Sequence, residues 1–146
     1  MGLFQSFDIC GSGMTAERFR MDTISENIAN VNTTRTQDGT PYTRKIVTFE
    51  EKQLNPSFED SLSSAKSFQG DGVKVSKVYD DTETDYTMVY DPSHPDANKD
   101  GYVAYPNVNT VTEMTNLIDA SRAYEANVTA FDAMKSIATS GIDIGK

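Results

Sequence analysis

The chain has 146 residues, of which 37% are hydrophobic and 10% aromatic, which is typical of one folded domain and excludes a low-complexity tail. Its single cysteine, Cys10, excludes an internal disulfide and a cysteine zinc cluster. The formal net charge is −9, and residues 46–106 hold twelve acidic and five basic residues, which argues against binding to nucleic acid through a broad basic face.

The N-terminal segment carries a helical repeat of apolar residues. The repeat follows alternating spacings of four and three residues, with Glu17 as its one polar position: Leu3, Phe7, Cys10, Met14, Glu17, Met21, Ile24, Ile28 and Val31. This spacing predicts a helix with a narrow apolar stripe, of the width that one partner helix covers. Residues 30–34 favour caps and turns, so the helix is expected to end there.

The middle of the chain is predicted to contain β-strands. A turn at Asp38–Gly39 leads into a run of β-branched and aromatic residues over 42–49, and similar runs follow over 73–79 and 86–90. Three strands are therefore expected.

Two further segments of the middle region are predicted not to be strands. Asn55 and Pro56 could cap a short helix that places Phe58, Leu62 and Ala65 on one face. Residues 91–101 include two prolines and an Asp-Gly pair, which predict an irregular loop with a positive φ at the glycine.

The C-terminal segment carries a second helical repeat. Thr110 and Glu113 are predicted to form a capping box in which each side chain bonds the other's backbone amide. The stripe that follows has polar positions only at Ser121 and Lys135: Met114, Leu117, Ser121, Tyr124, Val128, Phe131, Lys135, Ala138 and Ile142. The two stripes predict that the terminal helices pair with each other.

These elements predict an α+β fold with two domains. Residues 1–34 and 107–146 would form a terminal coiled-coil domain, and residues 35–106 a β-rich outer domain. A pair of helices of about 27 and 30 residues is marginal by itself, so their outer faces should find further partners. The apolar residues off the stripes are candidates for those contacts, either with the chain's own middle domain or with another chain: Phe4, Phe19, Ile118, Met134 and Ile137.

Candidate chemical sites are few. The run from Asp96 to Gly101 matches the first half of an EF-hand loop, but Asn107 stands where the bidentate glutamate is needed. A small calcium-dependent binding or regulatory domain is therefore the alternative function. His94, the one histidine, lies between prolines and lacks a nucleophile motif nearby, so a hydrolase is a weaker alternative. We expect no enzyme activity and no cofactor.

Three sequence blocks resemble the bacterial flagellar rod and hook family. Ser25–Thr34 (SENIANVNTT) is similar to its N-terminal signature and Ser121–Val128 (SRAYEANV) to its C-terminal signature. Residues 90–98, with 101–103 and 105–109, are similar to the proximal-rod members in particular. The blocks occur in the family's order.

The resemblance implies a structural subunit of the proximal rod of the flagellar basal body, which self-assembles through its terminal helices into a helical tube that transmits torque. It implies as partners copies of the chain, other rod proteins and the flagellar type III export apparatus, and it implies export without a cleaved signal. The N-terminus indeed lacks the pattern of a cleavable signal, and no run reaches the roughly 18 apolar residues of a membrane-spanning helix, so direct membrane insertion is not expected.

On the two terminal segments, the apolar repeats and the resemblance together assign an assembly interface. Its predicted members are Phe7, Met14, Met21, Ile24, Asn27, Ile28, Ala29, Asn30, Val31, Asn32, Thr33, Leu117, Tyr124, Glu125, Asn127, Val128 and Phe131. Within this set, Ile28, Tyr124 and Val128 are expected to bury the stripes, and the Asn and Glu side chains to hydrogen-bond backbone where the first helix ends.

Overall fold

The structure is a computed structural model that describes residues 3–52 and 72–144. Its elements are helix α1 (Leu3–Ala29), strands β1 (Lys45–Glu51), β2 (Val73–Asp80), β3 (Thr87–Tyr90) and β4 (Tyr102–Tyr105), and helix α2 (Thr110–Ile144). Terminal helices with small sheets between them confirm the predicted α+β class. The short helix predicted after Asn55 lies outside the described residues.

The strands form two sheets of two strands each, β1 with β2 and β3 with β4. In the first sheet the Lys52 amide donates to the Gly72 carbonyl at 2.9 Å and the Asp81 amide donates to the Arg44 carbonyl at 2.7 Å, as in an antiparallel pair. Strand β4 was not predicted, because its four residues directly follow a turn and are too few to show an alternating pattern.

The chain divides into two compact units. Of the described residues, the first contains 3–19, 48–52, 72–76 and 120–144, and the second contains 20–47 and 77–119. Each helix therefore contributes one part to each unit. The predicted division into a helical inner domain and a β-rich outer domain stays a prediction.

In the first unit the two helices touch in antiparallel order. The rings of Phe7 and Phe131 meet edge to face with their centroids 5.0 Å apart. About two turns further along α1, Gly13 lies so close to Asn127 that a Cβ on the glycine would be 2.8 Å from the Asn127 Oδ1. These contacts show that the helices meet, whereas their pairing as a coiled coil remains a prediction.

The first unit also fixes the start of β2 on α1. The Ser12 hydroxyl donates to the Ile9 carbonyl at 2.7 Å and accepts from the Val73 amide at 3.0 Å. Gly72 has φ +101°, and a Cβ there would collide with Ser12 Oγ. Only glycine fits this close approach of strand to helix.

The second unit contains the β3–β4 hairpin, whose register pairs Thr87 with Tyr105 and Tyr90 with Tyr102. Val103 is fully buried on its inner face. Gly101 has φ +81°, which confirms the predicted turn at Asp100–Gly101.

At three positions of the stripe predicted on α2, the residue that faces the protein is the one before the predicted residue. Glu113 and Ala120 are buried, whereas Met114, predicted in the stripe, is 54% exposed. Met134 is likewise half-buried while Lys135 is exposed. The polar breaks at 121 and 135 thus arise because Ala120 and Met134 are the neighbours that face inward. Adjacent helix positions are about 100° apart, so periodicity does not decide between them.

The capping box predicted at the start of α2 is wrong. The Asn109 Oδ1 accepts hydrogen bonds from the amides of Val111 (3.0 Å) and Thr112 (3.2 Å), which makes Asn109 the N-cap residue. Glu113 is turned into the protein, where its carboxylate has other partners. The Asn109 side chain accepts the bonds that the free amides of the first turn need, so Glu113 is not required for capping and packs into the protein.

The contact between Gly13 and Asn127 generates a stability prediction. Gly11 has nothing within 4 Å of a Cβ, so Gly11→Ala should raise the free energy of unfolding by about 0.5–1 kcal/mol through helix propensity. Gly13→Ala has the same propensity gain but must displace the Asn127 side chain, so it should be no more stable than wild type. Urea unfolding followed by circular dichroism measures both.

The double variant Gly13→Ala/Asn127→Ala provides the internal test. Removing the obstructing amide should restore the gain at position 13, because the added methyl group then meets no side chain. Equal stabilisation by the two single glycine variants would contradict the close helix approach.

Candidate functional site

The second unit holds a buried polar cluster, centred on Asn27 near the end of α1. This side chain is 1% exposed. Its Nδ2 donates to the Lys45 carbonyl (2.9 Å) and to the Glu113 Oε2 (3.1 Å), and its Oδ1 accepts from the Lys45 amide and the Tyr42 hydroxyl, both at 2.9 Å. All four hydrogen-bonding positions of the amide are therefore filled.

Glu113 joins α2 to the same cluster. Its carboxylate is 1% exposed and accepts from Arg44 through Nε at 2.9 Å and Nη2 at 2.8 Å. Arg44 Nη1 also lies 3.5 Å from Asp81 Oδ2. A buried carboxylate needs a paired cation and further donors, and Arg44 and Asn27 supply both.

Asn107 and Asp81 connect the segments that precede α2 and follow β2. The Asn107 Oδ1 accepts from the Arg44 amide at 2.8 Å, and its Nδ2 donates to the carbonyls of Asp81 (2.8 Å) and Thr84 (3.0 Å). Burial alone would raise the pKa of the Asp81 carboxyl, but hydrogen bonds from Thr84, Glu83 and Arg44 outweigh it and hold that pKa below its usual value. Asp81 is therefore ionised at neutral pH.

Tyr42 places its phenol against this acidic cluster. Burial, and then the negative charges of Glu26, Asp80 and Glu113, raise the pKa of Tyr42 to about 12. The neutral hydroxyl donates to Asn27, so it serves as a structural donor at physiological pH.

The predicted interface residues differ in their exposure. Ile24 and Asn27 are buried, and Ala29, Asn32 and Glu125 are exposed. The remaining members are partly buried: Phe7, Met14, Met21, Ile28, Asn30, Val31, Thr33, Leu117, Tyr124, Asn127, Val128 and Phe131. Because Asn27 is buried, it can influence contacts with other chains only through the subunit's own fold.

Sequence reasoning missed four members of the cluster and misassigned a fifth. Tyr42, Arg44, Asp81 and Asn107 carry no local motif for this role, and Glu113 was interpreted as part of a cap. The available signal was that these polar residues lie close to the ends of strands and helices. Such positions favour bonds from side chain to backbone, but they do not identify the partners.

In the loop considered for calcium, the side-chain oxygens of Asp96 and Asn98 bond within the protein. Asp96 Oδ2 accepts from the Thr34 hydroxyl at 2.9 Å and its Oδ1 pairs with Arg35 at 3.5 Å. Asn98 Oδ1 accepts from the amides of Asp100 and Tyr102. In the part of the chain that the structure describes, no three His, Cys, Asp or Glu side chains are grouped to hold a metal ion. The geometry therefore does not support the calcium alternative.

His94 has a structural contact in the same loop. Its Nδ1 accepts from the Asp96 amide at 3.1 Å, and its ring lies beside Tyr105 with the centroids 6.5 Å apart. Both contacts hold the turn between β3 and β4, and neither supplies a nucleophile. The hydrolase alternative has no support in this arrangement.

The fully hydrogen-bonded side chain of Asn27 generates a stability prediction. Asn27→Ala leaves the Tyr42 hydroxyl, the Lys45 amide and one oxygen of Glu113 without their buried partner, so the free energy of unfolding should fall by about 3 kcal/mol. Asn32→Ala, at an exposed asparagine a few residues away, is the matched control and should change it by less than about 0.5 kcal/mol. Denaturant unfolding compares the two, and equal effects would refute a central role for Asn27.

The pKa of Tyr42 generates a pH prediction. A tyrosine has a pKa of about 10 in an unfolded chain, whereas the folded value is about 12. The associated stability is thus fully present below pH 10 and is lost as the pH rises from about 10 to 12. Unfolding free energies of wild type and Tyr42→Phe should differ by a constant amount below pH 9 and converge above pH 10. Tyr90→Phe, at an exposed tyrosine, should follow the wild-type curve, and parallel curves for Tyr42→Phe would contradict the shift.

Comparisons with known proteins agree with the resemblance seen in the sequence. Residues 7–36 match the family model "Flagella basal body rod protein", and residues 99–144 match "Flagellar basal body rod FlgEFG protein C-terminal". The chain is 44% identical to the flagellar basal-body rod protein FlgC of Bacillus subtilis, with 100% of both chains covered. It is 44% identical to FlgC of Borreliella burgdorferi, with 99% of this chain and 98% of the relative covered.

A third relative, FlgC of Escherichia coli O157:H7, is 36% identical over 100% of both chains. Among the described residues, neither helix has an apolar stretch long enough to cross a membrane. Identity of this extent over full-length relatives shows the family. The chain belongs to the FlgC family of flagellar basal-body rod proteins, which are structural proteins and not enzymes.

Proposed function

We propose that this chain is a subunit of the proximal flagellar rod that assembles through its terminal helices into a helical tube and transmits torque. In this proposal residues 1–34 and 107–146 pair as the inner layer, and residues 35–106 form the outer domain. Its partners are copies of itself and other rod proteins.

The observation that carries the proposal is a second apolar stripe, which lies on the outer side of α2 and is distinct from the stripe that the sequence predicts. Val111, Met114 and Ile118 are 72%, 54% and 53% exposed and follow one another at spacings of three and four residues. They lie on the side of the helix opposite Glu113 and Ala120, which face inward. Large apolar side chains aligned on a solvent face are typical of a surface that another protein covers.

A stripe of this kind is suited to repeated assembly. When an apolar face of one subunit packs on a different face of the next, and the rotation between subunits does not close a ring, the product is a helical tube. Such contacts need a firmly held helix. The ion pair of Glu113 with Arg44 holds the first turn of α2, next to the stripe, to the rest of the second unit.

The predicted roles of the signature residues extend the proposal. Ile28, Tyr124 and Val128 are partly buried and contribute to contacts along the helices, while the exposed Asn32 and Glu125 are available to neighbouring subunits. We further propose that the chain reaches the rod through the flagellar type III export apparatus, without a cleaved signal. Its lone thiol fits this route, because no disulfide has to be opened before export.

A charge placed on the stripe tests the proposal. Ile118→Asp puts a carboxylate on an exposed site, so the subunit should fold with wild-type stability within about 0.5 kcal/mol. Burying that charge at a contact between subunits costs several kcal/mol, so the variant should fail to restore swimming in a strain that lacks the chain.

Thr112→Asp is the matched control. It adds the same charge within two turns of Ile118 but away from the stripe, and an acid in the first turn suits the helix dipole. It should restore motility, and electron microscopy of isolated basal bodies should show complete rods. Normal swimming by Ile118→Asp would rule out the stripe as an assembly surface.

A further inference from the structure

The outer face of the β3–β4 hairpin is a second exposed apolar surface, and it does not belong to the terminal helices. Side chains alternate between the two faces of a hairpin, so the fully buried Val103 and its partner Val89, which is 42% exposed, share one face. The outer face carries Met88, Tyr90 and Tyr102, which are 53%, 65% and 43% exposed. We call these three residues the hairpin face.

The hairpin face is held in one arrangement before any partner arrives. The rings of Tyr90 and Tyr102 pack edge to face with centroids 5.2 Å apart. A Cβ on Gly101 would lie 2.9 Å from the Tyr90 ring and 3.2 Å from Pro92 Cγ, so the turn packs against the same tyrosine. The Asp91 amide donates to the Gly101 carbonyl at 3.0 Å across the turn. Two pre-ordered tyrosines lose little conformational entropy when they are covered.

Acidic residues stand next to both ends of the hairpin strands. Asp85 precedes β3, and Asp91 and Asp100 lie at the turn. Hydrogen bonds from the Ser93 hydroxyl and amide to Asp91 lower the pKa of its carboxyl, so it stays charged at neutral pH. Between Asp80 and Tyr105 the chain has seven acidic residues and one base, Lys99. An apolar aromatic centre thus has a negative rim.

A second copy of the chain is poorly matched to this rim. The chain has a net charge of −9. Several of its cations already have partners: Lys45 lies 2.6 Å from Glu26, Lys74 lies 2.7 Å from Glu50, and Arg35 lies 3.5 Å from Asp96. Two copies would therefore bring like charges together, which disfavours that contact.

We propose that the hairpin face is the docking surface for a different rod protein, one that presents an apolar centre surrounded by Arg or Lys side chains. Such a partner would place guanidinium or ammonium groups beside the carboxylates and over the tyrosine rings. The inference rests on the proposed function, since it takes the chain to be built into the rod. The stripe on α2 serves contacts of the terminal helices, whereas the hairpin face selects an unlike neighbour.

The test is a binding measurement between purified full-length proteins. The probes are this chain itself and each protein of the same bacterium that matches the same two rod-family models, measured singly by biolayer interferometry. We expect at least one of the other proteins to bind this chain more tightly than the chain binds itself. Between 50 and 300 mM NaCl that affinity should fall about tenfold, because the rim charges are screened.

Variants of the hairpin face locate the contact. Met88→Ser and Tyr90→Ser should each weaken binding at least tenfold, and the double variant Asp85→Lys/Asp100→Lys should weaken it without removing an apolar side chain. Val78→Ser, at a 39% exposed site on β2 outside both the stripe and the hairpin face, is the matched control and should bind as wild type. Circular dichroism and thermal unfolding verify that each variant is folded.

Several results would overturn the inference. These are wild-type binding by Met88→Ser, an affinity that does not depend on salt, equal loss in Val78→Ser, preferential binding of the chain to itself, or no binding to any rod-family protein. Ile118→Asp separates this inference from the proposed function. If Ile118→Asp blocks rod formation while the hairpin variants bind and swim normally, the inference fails and the proposed function stands.

Discussion

The side-chain amide of Asn27 fixes the position of the end of α1 relative to the start of β1. Asn27 is inaccessible to solvent, and each of its donors and acceptors is paired, two of them with the backbone of Lys45 at the start of β1. A saturated buried amide tolerates no other register of the strand beside the helix, because any slip leaves polar groups unpaired in the interior. Tyr42 and Glu113 bond directly to Asn27, so the cluster also constrains the chain entering β1 and the first turn of α2.

In the second unit this arrangement places polar groups inside and apolar groups outside. The largest fully buried side chains include Glu113 and Asn27, while Val111, Met114 and Met88 are more than half exposed. In an independent soluble protein the reverse is usual, and contiguous exposed apolar residues mark surfaces for other proteins. The polar interior gives one defined geometry, and the apolar exterior is the surface that we propose for contacts between subunits. This division suits a member of a rod family.

The first unit depends on a different feature, the close approach of two helices and a strand. Gly13 allows α1 to lie against Asn127 of α2, and Gly72 allows β2 to begin directly on Ser12. Small residues at these points bring backbone and side-chain polar atoms within contact distance, where a methyl group would separate them. The family resemblance accounts for the presence of the helices but not for these approaches.

The sequence by itself determined the two terminal helices, three of the strands, the turn at Gly101 and the family. Each of these depends on local chemistry: apolar spacing, β-branched runs, Asp-Gly turns or contiguous motifs. Only the tertiary structure decided that Glu113 pairs with Arg44 rather than capping α2, and that Ala120 faces inward in place of Ser121. Asn27 and its partners in the cluster are separated by 15 to 86 residues, and a local pattern holds no information about contacts so distant in the chain. Which of two adjacent helix positions is buried likewise depends on the surface that packs against the helix.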